Sequence, residues 1–522
     1  MATVMATGPT GRASVVDELA MHEEAEVKRG GCIMQENPIL GETRACRDVV
    51  WGLAFVLVAV FVTFAAVAFA VMLFSLENDL DTKEAIALAK MKEDAFTHGI
   101  LAVLLAGVCA PLSSIVFLYF TKHYTECVVW CSGLFGILTL AVSGSFMMRR
   151  SWPFPGVFGA ILVVISVCLA ICFLLFGKDF VRFTTIFLKC VLRVVERHPA
   201  MLMICFVNGL ISALWSLACG ATLLSAAVYD DDIHVVLKSK TSTSAAKMGL
   251  MFLYALIYYW GSQVCLNTAF TACSGVFCRW YFDKDQGSPA ASSLKVAWTS
   301  SFGSICYGSF VVAVVRAIEF LVRQCRREAY EEGNYVTCVL LCIVEQLIGC
   351  VGDILEWISN FAYVQCALRG LGFCDACRAT FAINTYSNVE AITSSLLIDW
   401  VPAMAAVLIG GLCGGLGLLT FSTLLDSEAD FNTSVFAFCF VVGMHSSWST
   451  LQVLCSGCCS IISCFAEDGG SLRKKDPELW EAITGAQRDD DSSVDSSRNS
   501  SRRGSGRARD VRAQPMMEMS GR

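Results

Sequence analysis

About ten apolar blocks, each of twenty or more residues with few charges, dominate this chain, and each is long enough to cross a bilayer. The first, residues 49–76, reads VVWGLAFVLVAVFVTFAAVAFAVMLFSL. Lipid offers no hydrogen-bond partners, so a spanning backbone must satisfy its own amides. The expected fold is therefore all-α, a polytopic membrane helix bundle. Hydrophobic residues make up 55% of the 522 and charged residues 16%, below the charge usual in a soluble domain. The first 48 residues are polar and mixed in charge, without the short apolar core and cleavage site of a signal peptide.

The blocks fall at 49–76, 98–121, 126–147, 156–176, 200–228, 248–271, 296–322, 335–365, 392–425 and 435–465. Three regions follow: an N-terminal tail over 1–48, a transmembrane domain over 49–465, and a disordered polar tail over 466–522. Between the fourth and fifth blocks, Phe180, Phe183, Phe187, Val191 and Val194 recur at helical intervals among Lys178, Arg182, Lys189, Arg193 and Arg197. That pattern fits an amphipathic surface helix, or equally the extended end of block four. An even span count puts both tails on one side. Lys28, Arg29, Arg44, Arg47, the five basic residues just named, and Arg473 to Lys475 then share a face, which the positive-inside rule makes cytoplasmic. Arg149, Arg150, Arg323, Arg326 and Arg327 fall on the other face. Asn432-Thr433-Ser434, in the last outer loop, is a glycosylation acceptor.

Ionisable residues inside spans are costly and point to function. Glu345, Asp353 and Glu356 punctuate the eighth block, the last two on one helical face, and suit a cation or a proton. Aromatic residues gather around blocks six to eight, Trp260, Tyr307, Trp357 and Tyr363 among them. A quaternary ammonium carries no N–H and is held against ring faces, although interfacial belts are also rich in Trp and Tyr. Gln263 is a candidate to line the path. Gly303, Gly308, Gly349, Gly352, Gly370 and Gly372 would permit the broken helices of transporter sites or ordinary close packing. The 27 cysteines lie mostly within apolar blocks, and neither Cys374-x-x-Cys377 nor the Cys455, Cys458, Cys459 group has zinc-finger spacing. No metal, cofactor or nucleic-acid partner is expected. Six scattered histidines and no motif in a catalytic context give no enzyme constellation.

Three local stretches carry a family resemblance. The first is Trp260 through Gln263 followed by Gly275-Val276-Phe277-Cys278-Arg279-Trp280-Tyr281-Phe282. The second is Gly303-Ser304-Ile305-Cys306-Tyr307-Gly308-Ser309-Phe310. The third is Ala362-Tyr363, Gly370, Phe373-Cys374, Ala376, Arg378 and Phe381. In order and separation they resemble the choline transporter-like family, over rather more than a quarter of the chain. The chain departs from the family at Gly352, where the family carries an acid, with Asp353 adjoining. The resemblance implies a ten-span solute carrier of the plasma membrane, or else of an internal membrane. It would move choline or a related cation such as ethanolamine for phospholipid synthesis, both tails cytoplasmic. The residue reading adds Trp260, Tyr307, Trp357 and Tyr363 as cage rings, Glu345 or Asp353 as the compensating charge, and Gln263 along the path. A channel, a non-transporting scaffold and a lipid-modifying membrane enzyme are the rival classes.

Overall fold

The computed structural model describes residues 28–75 (except 36, 42 and 43), 104, 106–149, 153–228, 243–387 (except 285 and 286), 399–424 and 429–485. Every regular element among them is a helix. In chain order these are α1 (28–35), α2 (Val49–Ser75), α3 (106–123), α4 (Thr125–Arg149), α5 (Pro153–Arg197), α6 (Ala200–Val228), α7 (Thr243–Tyr281), α8 (Pro289–Trp298), α9 (Phe302–Glu331), α10 (Tyr335–Arg369), α11 (Phe373–Ser387), α12 (Trp400–Leu424), α13 (Ala429–Glu467), α14 (Gly469–Lys475) and α15 (477–485). Among the described residues nine helices are long and apolar enough to cross a membrane: α2, α4, α5, α6, α7, α9, α10, α12 and α13. The expected second block corresponds to α3; its expected start at 98 lies outside the described residues. Large apolar side chains on the outer faces, such as Val50, Leu57, Phe64, Val164, Leu175 and Leu347, are exposed as a lipid-facing surface requires.

Small residues set the closest helix contacts. The glycine-rich stretch of α12 lies along α13, with Gly410 against the Phe440 carbonyl and Met444, and Gly414 against Phe436. Gly144 brings α4 onto the Gly159 carbonyl of α5 in the same way. The segment over 178–197 is the extended end of α5, not a separate surface helix. Its apolar face (Val181, Phe187, Val191, Val194) is buried in the main core, where Val191 and Phe277 of α7 close over Gly457 of α13. The core offers that face more apolar contact than a membrane surface would.

Two interruptions position the site. Residues 299–301 break the expected seventh block into α8 and α9. Ser293 sits beside Gly275 and the Cys306 carbonyl beside Trp260, so both pieces pack against α7, and α9 alone is long and apolar enough to span. Pro289 in the first turn of α8 starts the first piece, since its missing N–H has no helical partner there anyway. The eighth block, by contrast, is one unbroken helix past Gly349 and Gly352. It stops at Gly370, whose φ of 69° closes the helix in the left-handed conformation.

The segment before α2 forms a strap across this end of the bundle. The Leu40 amide donates to the Leu368 carbonyl (2.8 Å), Arg44 Nη1 to Ala367 O (2.7 Å), and the Arg47 amide to Ser300 O (3.2 Å). The strap thus satisfies carbonyls that the last turn of α10 leaves open. Buried Arg369 donates to Met34 O and Asn37 O and pairs with Glu467 at 2.5 Å. Both ends of the described chain therefore meet at one end of the bundle. Residues 466–485, expected to belong to a disordered tail, are largely helical. Leu472, Leu479 and Ile483 of α14 and α15 are fully buried, because their helical spacing gives this short stretch an apolar face of its own. Residues 486–522 lie outside the described residues. Asp468 caps α14, and its bonds from the Ser471 hydroxyl and the Gly470 amide hold its carboxyl below the usual range.

A Cβ on Gly303 would overlap the carbonyl oxygens of Arg47 and Asp48. Gly303→Val is expected to push the strap off α9 at a cost of about 1–3 kcal/mol, read as a lower unfolding temperature in detergent; an unchanged temperature would show that the strap is not held against this helix.

Candidate functional site

Where α2, α7, α9, α10 and α11 converge beside the strap, aromatic rings from all five touch in series. Trp51 stacks on Tyr307 (centroids 4.9 Å, planes 16° apart) and meets Phe310 at 4.9 Å. Trp260 lies edge-on to Phe310 at 5.1 Å and to Phe55 at 5.5 Å. Phe373 joins Tyr307 at 5.6 Å to Tyr363 at 5.8 Å. Tyr307 and Phe310 stand three residues apart on α9 and share a face, so one helix presents two rings to Trp51. The Trp260 indole N–H donates to the Cys306 carbonyl (3.0 Å), which fixes that ring. Gly308 lies between Tyr307 and Ser309. A Cβ there would overlap both the Phe373 ring and the Tyr363 hydroxyl, so glycine lets them reach the α9 backbone.

Polar groups border the rings on two sides. Asp48, the residue before α2, has φ of 52° and turns its carboxylate inward. There Oδ2 accepts from the Ser304 hydroxyl (2.7 Å) and the Phe373 amide (3.0 Å). The carboxylate thus caps α11 in the favourable sense of the helix dipole, one turn of α9 from Tyr307. Among the described residues Asp48 enters no ion pair with Lys or Arg. On the other side, Asn267 Nδ2 of α7 lies 2.9 Å from Ser309 Oγ, 3.2 Å from Tyr363 Oη and 3.5 Å from Gln263 Oε1.

Of the residues expected from sequence, Trp260, Gln263, Tyr307 and Tyr363 come together here. Trp357 does not join the ring series; it packs on Phe361 of its own helix at 5.2 Å. The carboxylates lie farther along the bundle, held by arginines. Glu345 accepts from Arg323 Nε (2.9 Å) and Arg326 Nε (2.6 Å). Arg316 reaches Asp353 (2.7 Å), Glu356 (3.0 Å) and Glu319 (3.1 Å), and Glu319 also takes Arg323 (2.8 Å). Four carboxylates and three guanidinium groups thus join α9 to α10 by charge-assisted bonds. Asn432, expected in the last outer loop, lies instead in the first turn of α13, which begins at Ala429. Trp51, Asp48 and Asn267 also take part in this arrangement but were not singled out from sequence, and Phe310 entered only as the end of the second family stretch. Their best available signal was position: Asp48 and Trp51 mark the polar-to-apolar edge of the first block.

A family model described as plasma-membrane choline transporter matches residues 160–469. Protein PNS1 of Cryptococcus neoformans is 25% identical over 395 residues, covering 74% of this chain and 70% of the relative. Protein PNS1 of Mycosarcoma maydis is 24% identical over 392 residues, covering 74% and 73%. The Neurospora crassa protein of that name is 24% identical over 393 residues, covering 74% and 70%.

Proposed function

The chain belongs to the plasma-membrane choline transporter family, and we propose that it carries choline itself, or a closely related organic cation, through the ring series beside the strap. As a member it is a multi-pass membrane protein with a choline-transporter-like role. The observation that carries the substrate assignment is the Trp51–Tyr307 stack flanked by Phe310, Trp260 and Phe373, with the Asp48 carboxylate at its edge. A trimethylammonium group cannot donate a hydrogen bond through nitrogen. It gains instead from ring faces, about 0.5–2 kcal/mol each, and from a nearby negative charge. Asp48 fills that last role better than Glu345 or Asp353, whose charge is matched by arginines in the same network. Ethanolamine, a primary ammonium with three N–H donors, gains less from rings and more from hydrogen bonds, so it is the weaker candidate at this site.

The strap end is assigned to the cytoplasm, since Arg44, Arg47, Arg193 and Arg473 to Lys475 gather there. Its meeting of both chain ends supports two cytoplasmic tails. Asn432, at the opposite end of α13, then falls on the outer side, the side on which such acceptor motifs are glycosylated.

The test is uptake by the full chain in liposomes, with labelled choline, ethanolamine and an unrelated cation across imposed sodium and proton gradients. Saturable choline uptake with counterflow is expected, and choline outcompetes ethanolamine. Linear, non-saturating flux would make the protein a channel, and no flux above empty liposomes would remove transport altogether.

A further inference from the structure

The polar cluster beside the rings has a capacity that helix packing alone does not use. Asn267 is buried in the middle of α7, and its side chain faces Gln263 one turn back, Ser309 on α9 and Tyr363 on α10. An amide nitrogen has two N–H groups, yet three acceptors lie within 3.5 Å of Asn267 Nδ2. The two shorter contacts, to Ser309 Oγ and Tyr363 Oη, use both hydrogens. Gln263 Oε1, at 3.5 Å, is left to accept from another donor. Gln263 is also half-buried where Asn267 and Tyr363 are buried, so its amide is the edge of the cluster that an incoming group meets first. Each hydroxyl in the cluster both donates and accepts. A further hydroxyl can therefore enter, donating to Gln263 Oε1 and accepting from the Gln263 amide or the Tyr363 hydroxyl.

The cluster and the rings share members. Tyr363 contributes its hydroxyl to the cluster and its ring to the Phe373 contact. On α9, Tyr307 faces the rings while Ser309, two residues on, faces Asn267. Tyr363 therefore joins the two parts through one side chain, and choline likewise carries its hydroxyl only two carbons from its ammonium. Resting on the choline reading above, we infer that the Gln263–Asn267–Ser309–Tyr363 cluster is the specificity element of the site. It reads the substrate's hydroxyl and selects β-hydroxy quaternary ammonium cations over alkyl ones of the same shape. A site built to bond a hydroxyl rejects the analogue lacking it, because its own polar groups are then left buried and unpaired.

The experiment compares choline with n-propyltrimethylammonium, which replaces the hydroxyl by a methyl and keeps the shape and charge. Binding of both to the purified full chain is measured by calorimetry. The wild-type protein is expected to bind choline on the order of 10–100-fold more tightly. Tyr363→Phe and Gln263→Leu should shrink that ratio to about 3-fold or less, chiefly by weakening choline. A cluster that only staples three helices would shift both cations together and leave the ratio alone. An unchanged ratio in both variants, or equal binding of the two cations by the wild-type protein, overturns the inference while leaving the ring site intact. Wild-type protein that binds neither cation overturns the choline reading and this inference with it. Should Gln263→Leu fail to fold, Tyr363→Phe, which keeps the ring and removes one oxygen, decides the matter alone.

Discussion

Replacing Trp51 and Tyr307 together by leucine will weaken choline binding on the order of 100-fold or more. The figure follows from two desolvated ring faces at about 2 kcal/mol each, with tenfold in affinity for every 1.4 kcal/mol. Leucine keeps most of the apolar contact with Phe310 and Phe373 and removes the π face, so the loss reports the ring rather than the volume. The two side chains stack on each other at 4.9 Å and come from helices more than two hundred residues apart in the chain. A single replacement should therefore cost less than half the total, since the remaining ring can still turn its face to the ammonium. Trp51→Phe should retain most of the affinity. Binding of a small inorganic cation should hardly change, which separates ring loss from a general collapse of the site. Affinity within about 3-fold of wild type in the double variant, at normal protein level and unfolding temperature, would refute the cage. Trp260→Ala and Tyr363→Ala provide a second pair on the same footing.

How far the sequence foretold this arrangement depends on the range of the forces involved. Span limits are local: a block either is or is not apolar enough for lipid. The expected 49–76 and 200–228 accordingly became Val49–Ser75 and Ala200–Val228. The segment over 178–197 was ambiguous because an amphipathic pattern states that one face is apolar without saying what covers it. Here α7 and α13 do. The break at 299–301 was missed because no proline or glycine stands at those positions; the glycine that matters, Gly303, follows the break and lets the strap approach. Among the rings that meet beside the strap, Tyr307 and Tyr363 were singled out because aromatic residues near the interrupted blocks are conspicuous. Trp51, at the edge of the first block, looked like an ordinary interfacial ring, and Asp48 like a flanking charge. Only the tertiary fold sets them beside α9. The assignment of Glu345 and Asp353 as compensating charges overlooked a signal that was legible. Arg316, Glu319, Arg323 and Arg326 fall at intervals of three and four residues along the preceding helix, a charged stripe that only another charged stripe can neutralise within a membrane.

That stripe leads to the second large effect. Glu345→Gln will destabilise the protein by about 3 kcal/mol, read as a drop in unfolding temperature in detergent. Removing one partner from a buried ion pair costs about 3–5 kcal/mol, because the other charge stays behind unmatched. The lower end applies here, since Arg323 and Arg326 are partly accessible. The two guanidinium groups do not fare alike. Arg323 keeps Glu319 at 2.8 Å, whereas Arg326 reaches Glu345 at 2.6 Å and takes the greater loss. Replacing both partners removes the stranded charge, so Glu345→Leu combined with Arg326→Met should recover much of the stability that Glu345→Gln loses. This recovery distinguishes ion pairing from simple packing, which a second truncation would only worsen. The consequence extends to the site, for α9 carries Tyr307, Phe310 and Ser309 while α10 carries Tyr363, and this network fixes the register between the two helices. Choline affinity in Glu345→Gln should therefore fall although Glu345 touches none of the rings, and it should return with stability in the double variant. Glu345→Gln within about 0.5 kcal/mol of wild type would mean that the arginines find water instead, and the network would then have no part in holding the site together.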